Sequence, residues 1–95
     1  MHNIKFTYSE LTQHVELQVG AFMTQANGSK DKREREAFEN QARGVVAAWS
    51  TLVWQSVRSQ GEAAEAAHRE DYARILDIVG DAERASELRA RAASA

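Results

Sequence analysis

The sequence contains neither cysteine nor proline, and each absence is informative. Without cysteine, a disulfide-stapled secreted miniprotein and a zinc finger are both excluded. Without proline, no interior helical position loses its backbone hydrogen bond, so long unbroken helices are possible. A strong excess of one charge is also lacking, because the formal net charge is −2. Nucleic-acid-binding domains are usually strongly basic. We therefore expect no direct nucleic-acid partner.

Long hydrophobic runs are missing as well. No apolar run approaches the roughly 18 residues of a membrane-spanning helix, and residues 1–5 lack the features of a signal peptide. These absences predict a cytoplasmic protein with no membrane partner. The 95 residues, of which 43% are hydrophobic and 27% charged, suit one globular domain. A chain this short buries only about two thirds of its unfolded surface, so its core must be small.

Hydrophobic periodicity predicts an all-α bundle of three to four helices, one of them long and central, after a short extended arm. Thr7 and Glu10 have the spacing of a capping box at the start of the first helix. The turn residues Asn27-Gly28, then Gly61 and Gly80, mark helix ends, although a continuous bent helix through Gly61 remains an alternative. The predicted elements are an arm over 1–7 and helices over 8–26, 30–60, 62–79 and 82–92.

The second predicted helix, with Ser29 as its expected N-cap, has two different sides. At 1.5 Å per residue it is about 45 Å long, which exceeds the diameter of a compact monomer of this mass. Its excess length must project or pack on a second chain. One side is a large apolar stripe made of Phe38, Ala42, Val45, Val46, Trp49, Leu52, Val53 and Val57. The other side carries the small residues Ala37, Gly44, Ala48 and Thr51. Small side chains permit close approach of another helix, so we expect this helix to be contacted on both sides.

Two large apolar residues, Trp54 and Leu17, fall outside the predicted stripes of their helices. Tryptophan is enriched among interface anchors, which favours burial of Trp54 between two chains. Coverage of Trp54 by the third and fourth helices of one chain is the alternative. The predicted partner or dimer interface consists of Leu17, Gly44, Ala48, Thr51, Trp54, Val57, His68 and Tyr72.

Catalytic motifs are missing from the sequence. It has no cysteine nucleophile, no glycine-rich phosphate loop, and no serine and carboxylate context around its three histidines. We therefore expect no enzyme activity, no cofactor and no metal. One metal-binding alternative remains. Glu65-x-x-His68, with Glu62 nearby and the Glu10/His14 pair on the first helix, resembles the iron ligands of ferritin-like bundles.

A second resemblance concerns the outline of the chain. Its length, the mid-chain Trp49 and the opening Ile4-x-Phe6-x-Tyr8-x-Glu10-Leu11 are similar to the Trp-x-Gly helical-hairpin substrates of type VII secretion. The sequence departs from that family at both of its diagnostic motifs. Thr51 stands at the glycine position, and Leu76 follows Tyr72 where the family's export signal has an acidic residue.

The sequence thus predicts a non-enzymatic protein-interaction module, formed as a helical homodimer along the second helix. A small inhibitor or adaptor of phage or mobile-element type, binding a larger complex through its mixed arginine and carboxylate clusters, is the main alternative. A type VII secretion-like substrate and a ferritin-like metal-binding bundle are the others.

Overall fold

The computed structural model describes residues 6–94, which form four α-helices and no strand. The helices are α1 (Tyr8–Gly28), α2 (Lys32–Ser59), α3 (Glu62–Ile78) and α4 (Ala82–Ser94). This confirms the predicted all-α class. The predicted arm over 1–7 lies outside the described residues except at Phe6 and Thr7, which precede α1 without helical structure. No helix in the described part of the chain is long and apolar enough to cross a bilayer.

The start of α1 confirms the predicted capping box. The Glu10 backbone N–H donates to the Thr7 hydroxyl oxygen at 3.1 Å, and the Thr7 N–H donates to the Glu10 carboxylate at 3.3 Å. The end of α1 differs from the prediction, because the helix continues to Gly28 and Gly28 has no positive φ. Ser29 explains the difference. Its hydroxyl donates to the Gln25 carbonyl at 2.8 Å, so a last-turn carbonyl is satisfied without a left-handed residue.

The predicted N-cap of α2 was wrong for the same reason. Because the Ser29 hydroxyl is committed to the end of α1, the cap falls to Asp31, whose carboxylate accepts the Arg33 N–H at 3.0 Å. At the other end, Gly61 adopts a φ of 101°, which separates α2 from α3. The alternative of one continuous bent helix was therefore also wrong. Gly80, at a φ of 80°, separates α3 from α4.

The four helices form two hairpins, α1–α2 and α3–α4, and α3 packs on both helices of the first hairpin. The Cα positions span 44 × 43 × 15 Å, a thickness that accommodates two layers of helices about 10 Å apart. The radius of gyration is 14.6 Å, whereas a compact chain of this length has about 12 Å. The molecule is therefore a thin plate with a large surface for its mass.

The core lies where the helices meet, and every helix contributes to it. Its buried hydrophobic residues are Val15, Val19, Ala42, Val46, Trp49, Val53, Val57, Ala73, Ile75, Leu76, Val79, Ala85 and Leu88. Most of the predicted stripe of α2 is in this set. Leu52 is the exception, because 71% of its surface is exposed. It lies at the edge of the stripe, on a side of α2 that no other helix of the chain covers.

Candidate functional site

The small-residue side of α2 faces away from the rest of the described chain. Gly44, Ala48 and Thr51 are all exposed, and a Cβ built on Gly44 would meet no other atom within 4 Å. Within the described chain α2 is therefore contacted on one side only, and the expected contact on its other side stays a prediction. Both α1 and α3 pack on the side that carries Trp49, which leaves the small residues on the outer surface.

The other predicted interface residues divide into exposed and buried groups. Leu17 is 75% exposed on α1. Val57 and His68 belong instead to the interior of the chain, so neither offers surface to a partner. Trp54 lies between these extremes at 38% exposed. Its ring centroid is 5.9 Å from that of His68, so α3 partly covers Trp54 within the same chain. Tyr72 is also half-buried in this region.

His68 is the centre of an aromatic cluster that joins the two hairpins. Only 3% of its surface is exposed. Its ring centroid is 4.9 Å from that of Trp49 on α2, and 6.0 Å from those of Tyr8 on α1 and Tyr72 on α3. Such tilted and edge-on contacts are favourable arrangements of aromatic rings. The cluster therefore attaches α3 to both helices of the first hairpin.

A hydrogen-bond chain runs through the same joint. The Tyr8 hydroxyl has one proton, which it donates to the Asp71 carboxylate at 2.8 Å. The 3.0 Å contact between the Tyr8 oxygen and His68 Nδ1 must therefore be an N–H donated by the histidine. Burial lowers the pKa of His68, although the nearby Asp71 partly opposes this effect. The neutral histidine, protonated on Nδ1, thus holds α3 against α1.

The pKa of Tyr8 is raised, first by burial and then by its hydrogen bond to Asp71. This hydroxyl therefore stays protonated and keeps donating. Next to it, the Trp49 indole N–H donates to the Thr12 hydroxyl at 3.2 Å. On the outer side of the joint, Arg74 pairs with Asp71 at 2.9 Å and with Glu16 of α1. Each of these polar groups therefore has its partner within the chain, at the contact between the two hairpins.

The ferritin-like alternative finds no site in the described residues. No group of three histidine, aspartate or glutamate side chains lies close enough to hold a metal ion in residues 6–94. His68 Nδ1 faces Tyr8. His14, from the predicted first-helix pair, instead lines an open groove on α1.

The uncovered side of the α1–α2 hairpin carries exposed large hydrophobic residues, among them Phe6 and Leu52. At 100° per residue, Leu52 and Trp54 lie about 160° apart around α2. Because Trp54 faces α3, Leu52 faces the opposite side of the hairpin. There it shares a groove of about 330 Å³ with Phe6 and Leu11. Phe6 and Leu11 also line an adjoining groove of about 410 Å³ that continues along α1 to Leu17.

We call this side of the hairpin the hairpin face. Its members, identified from helical spacing around Leu11 and Leu52, are Phe6, Leu11, His14, Gln18, Phe22, Gln25, Glu34, Phe38, Gln41, Val45, Ala48, Leu52 and Ser56. Glu34, in the first turn of α2, is the one charged member, and none of the members from Phe38 to Ser56 is charged. Phe6 is 65% exposed, and Leu11, Phe22, Phe38 and Val45 are only partly buried.

The sequence contained a signal for this face. Phe38, Val45 and Leu52 recur at intervals of seven residues, and 44–57 contain no charged residue. Periodicity alone assigned these side chains to one wide buried stripe. It could not show that the core covers only part of that stripe. Of the predicted interface residues, Ala48 lies within the hairpin face, and Leu17 lies at its edge.

No protein-family model, curated protein or solved structure matches this chain. The type VII resemblance also lacks support from the fold. Trp49 is buried in the middle of α2, and the turn of the first hairpin lies at 29–31. The tryptophan is therefore remote from the position between two helical halves on which that resemblance depended.

Proposed function

We propose that this chain is a non-enzymatic protein-interaction module that presents the hairpin face to another protein chain. The observation that carries the proposal is the exposure of Phe6 and Leu52, at 65% and 71%, around a groove that no charged residue lines. The charged residues of this side, Glu10 and Glu34, lie outside that groove. Exposed hydrophobic residues scattered singly are normal, whereas a contiguous apolar patch marks an interaction site. Here the two residues are joined through the groove that they share with Leu11.

The charge distribution supports the same proposal. The cores of protein interfaces are depleted of charged residues. In this chain, where 27% of all residues are charged, the hairpin face has one charged residue, Glu34 in the first turn of α2. The charged residues of α2 are concentrated in its first turns, 32–39, and occur again at Arg43 and Arg58. The uncharged patch is thus flanked by polar surface, which is the usual anatomy of an interface core and rim.

The buried polar network favours a binding role over a catalytic one. His68 Nδ1 is directed at the Tyr8 hydroxyl, which itself donates to Asp71, inside the joint between the hairpins. A general acid or base must instead be within hydrogen-bond reach of a substrate proton. The chemistry-bearing groups therefore stabilise the fold, and the apolar outer surface is left to act on a partner.

Site-specific photo-crosslinking in the cells that make the protein tests this proposal. A photoreactive phenylalanine derivative replaces Leu52 on the hairpin face. In a matched variant it replaces Ala63, which is exposed on α3. We expect irradiation to produce a discrete protein adduct from the Leu52 variant and none from the Ala63 variant. Absence of any adduct at Leu52, or the same adducts from both variants, would overturn the proposal.

A further inference from the structure

We infer that the partner of the hairpin face is a second copy of this chain, and that two such faces pack together as a four-helix bundle of α1, α2 and their counterparts. This inference rests on the proposed function. The contact predicted from the sequence included Gly44 and Thr51 on the small-residue side of α2. The dimer contact inferred here lies instead on the side that carries Val45 and Leu52.

Charge is the first argument for a second copy. In a two-fold dimer the same patch meets itself, so side chains near the axis face their own copies. A charged residue there would face an identical charge, and like-charge contacts across an interface cost several kcal/mol. The middle of the hairpin face satisfies this condition, since Glu34 lies in the first turn of α2 and the other polar members are glutamine, serine and histidine. Glutamine donates and accepts hydrogen bonds, so it can pair with another glutamine.

Residue spacing is the second argument. Along α2, the face positions 38, 41, 45, 48 and 52 alternate in steps of three and four. Larger apolar residues, Phe38, Val45 and Leu52, alternate with Gln41 and Ala48. This is the spacing of the seams along which helices pack in coiled coils and four-helix bundles. Along α1, Leu11, His14, Gln18 and Gln25 follow related intervals. Each hairpin therefore offers two parallel seams, as one half of a four-helix bundle does.

The available area is the third argument. The 21 residues of α1 give the face a length of about 31 Å. Two adjacent helices, each about 10 Å wide, give it a width of about 20 Å. The face thus measures about 600 Å² on each chain, or about 1,200 Å² in a dimer, which reaches the range of stable protein interfaces. Among the described residues only α3 packs on the α1–α2 hairpin, and it does so on the side that carries Trp49, which leaves the opposite side open to a second copy.

Sedimentation equilibrium of the purified full chain tests the inference with two matched substitutions. Gln18 and Thr24 are both exposed on α1. Gln18 belongs to the hairpin face, whereas Thr24 lies about 120° away around α1 and lines neither groove of that side. We expect the unmodified chain to sediment at twice 10.6 kDa at tens of micromolar. Gln18→Glu should weaken this dimer at least about tenfold, because it places two carboxylates near each other. Thr24→Glu should change the dissociation constant less than about threefold.

A second pair of variants locates the contact independently. Leu52→Glu should weaken the dimer about 100-fold or more, since it places a charge in an apolar interface core. Leu17→Glu makes the same change at a similarly exposed leucine at the edge of the face, and should weaken it less than about tenfold. Circular dichroism should show unchanged helix content in both variants. Equal effects would overturn the assignment to the hairpin face and favour the outer edge of α1.

The failure of this inference can be distinguished from the failure of the proposed function. A monomer at all concentrations up to about one millimolar overturns the inference. If Leu52 photo-crosslinks in cells to a different protein, the function stands and the second copy is rejected. If the chain is monomeric and Leu52 gives no adduct, both are rejected. An adduct of twice the chain mass from the photoreactive Leu52 variant, together with weaker dimerisation of Leu52→Glu, supports both.

Discussion

The two hairpins of this chain differ in where their charged and their exposed hydrophobic residues lie. Residues 44–57 of α2 contain no charged side chain, whereas 62–94, which comprise α3 and α4, contain eight acidic residues and five arginines. The four large hydrophobic residues that remain exposed in the described chain, Phe6, Leu17, Leu52 and Trp54, all belong to the α1–α2 hairpin or its N-terminal flank. The first hairpin thus has apolar surface that the second does not cover.

The contrast extends to the interactions between elements. Arg74 of α3 pairs with Glu16 of α1, and Arg89 of α4 pairs with Asp77 of α3. Both ion pairs therefore involve α3. In the α1–α2 hairpin, the only ion pair among the described residues is Lys32 with Glu36, within α2 itself. The average composition of the chain conceals this difference. Within the first hairpin, the charged residues are concentrated in 30–39, and 44–57 present an open surface without charge.

The largest expected effect separates buried from exposed residues on one helix. Trp49→Ala should lower the free energy of unfolding by about 3–5 kcal/mol, since it removes a buried aromatic side chain at the joint. Leu52→Ala, three residues further along α2, should change it by less than about 0.5 kcal/mol at sub-micromolar protein. Urea denaturation measures both. A large loss for Leu52→Ala under dilution would mean that the hairpin face is part of the monomer core.

A smaller effect tests the polar contact between the hairpins. Tyr8→Phe removes the oxygen that accepts the His68 Nδ1–H, so a buried donor loses its partner. We expect a loss of about 1–3 kcal/mol in the free energy of unfolding. Tyr72→Phe is the control, because the Tyr72 hydroxyl makes no hydrogen bond to the described residues; it should cost less than about 0.5 kcal/mol. Equal losses would show that the Tyr8 hydroxyl has no special role at the joint.

The pH dependence of stability sharpens the role of His68. Burial lowers its pKa in the folded chain below the ordinary value of 6.5. Between these two values the unfolded chain binds more protons, so stability should decrease as the pH falls below about 6.5. The charged groups that face this ring are Asp71 and Arg69, both on α3. The neighbouring Tyr8 remains neutral, and α2 contributes uncharged tryptophans.

Urea denaturation between pH 5 and pH 8 checks this effect. His68→Gln should reduce the loss of stability on acidification, even if the variant is less stable at every pH. His14→Gln, at an exposed position on α1, should retain the full dependence. An unchanged pH dependence in His68→Gln would contradict the assignment of the effect to this histidine.

The smallest expected effect concerns the exposed ion pairs that bridge the hairpins. Arg74→Met keeps the length of the side chain and removes its pairing with Glu16 and Asp71. Because about half of this side chain is in solvent, the free energy of unfolding should fall by no more than about 1 kcal/mol. The difference should shrink further in 1 M salt. A larger loss that disappears in 1 M salt would mean that charge, rather than the buried joint, attaches α3.

Much of the fold could be predicted from the sequence, because its signals are local. The Thr7/Glu10 capping box, the absence of proline from α2, and Gly61 and Gly80 fixed the helix order to within a few residues of the observed bounds. The assignment of Ser29 failed since one hydroxyl could cap either of two adjacent helices. Only the three-dimensional turn shows that it serves α1.

The candidate site was less predictable, because it depends on where α3 packs. Helical spacing grouped Leu52 with the buried stripe and separated Trp54 from it. In the structure Leu52 is the more exposed of the two residues, since α3 covers part of Trp54 and does not cover Leu52. His68 illustrates the same limit. Its place beside Tyr72 was evident from spacing, but its contact with Tyr8, 60 residues away, was not.

The most direct test of the hairpin-face dimer is an isotope-filtered NMR experiment on an equimolar mixture of labelled and unlabelled chains. This experiment detects only contacts between different chains. We predict intermolecular contacts from the methyl groups of Leu11, Val45 and Leu52. Their absence at millimolar concentration, or intermolecular contacts from Thr51 and from the alanines of α4 instead, would contradict the account.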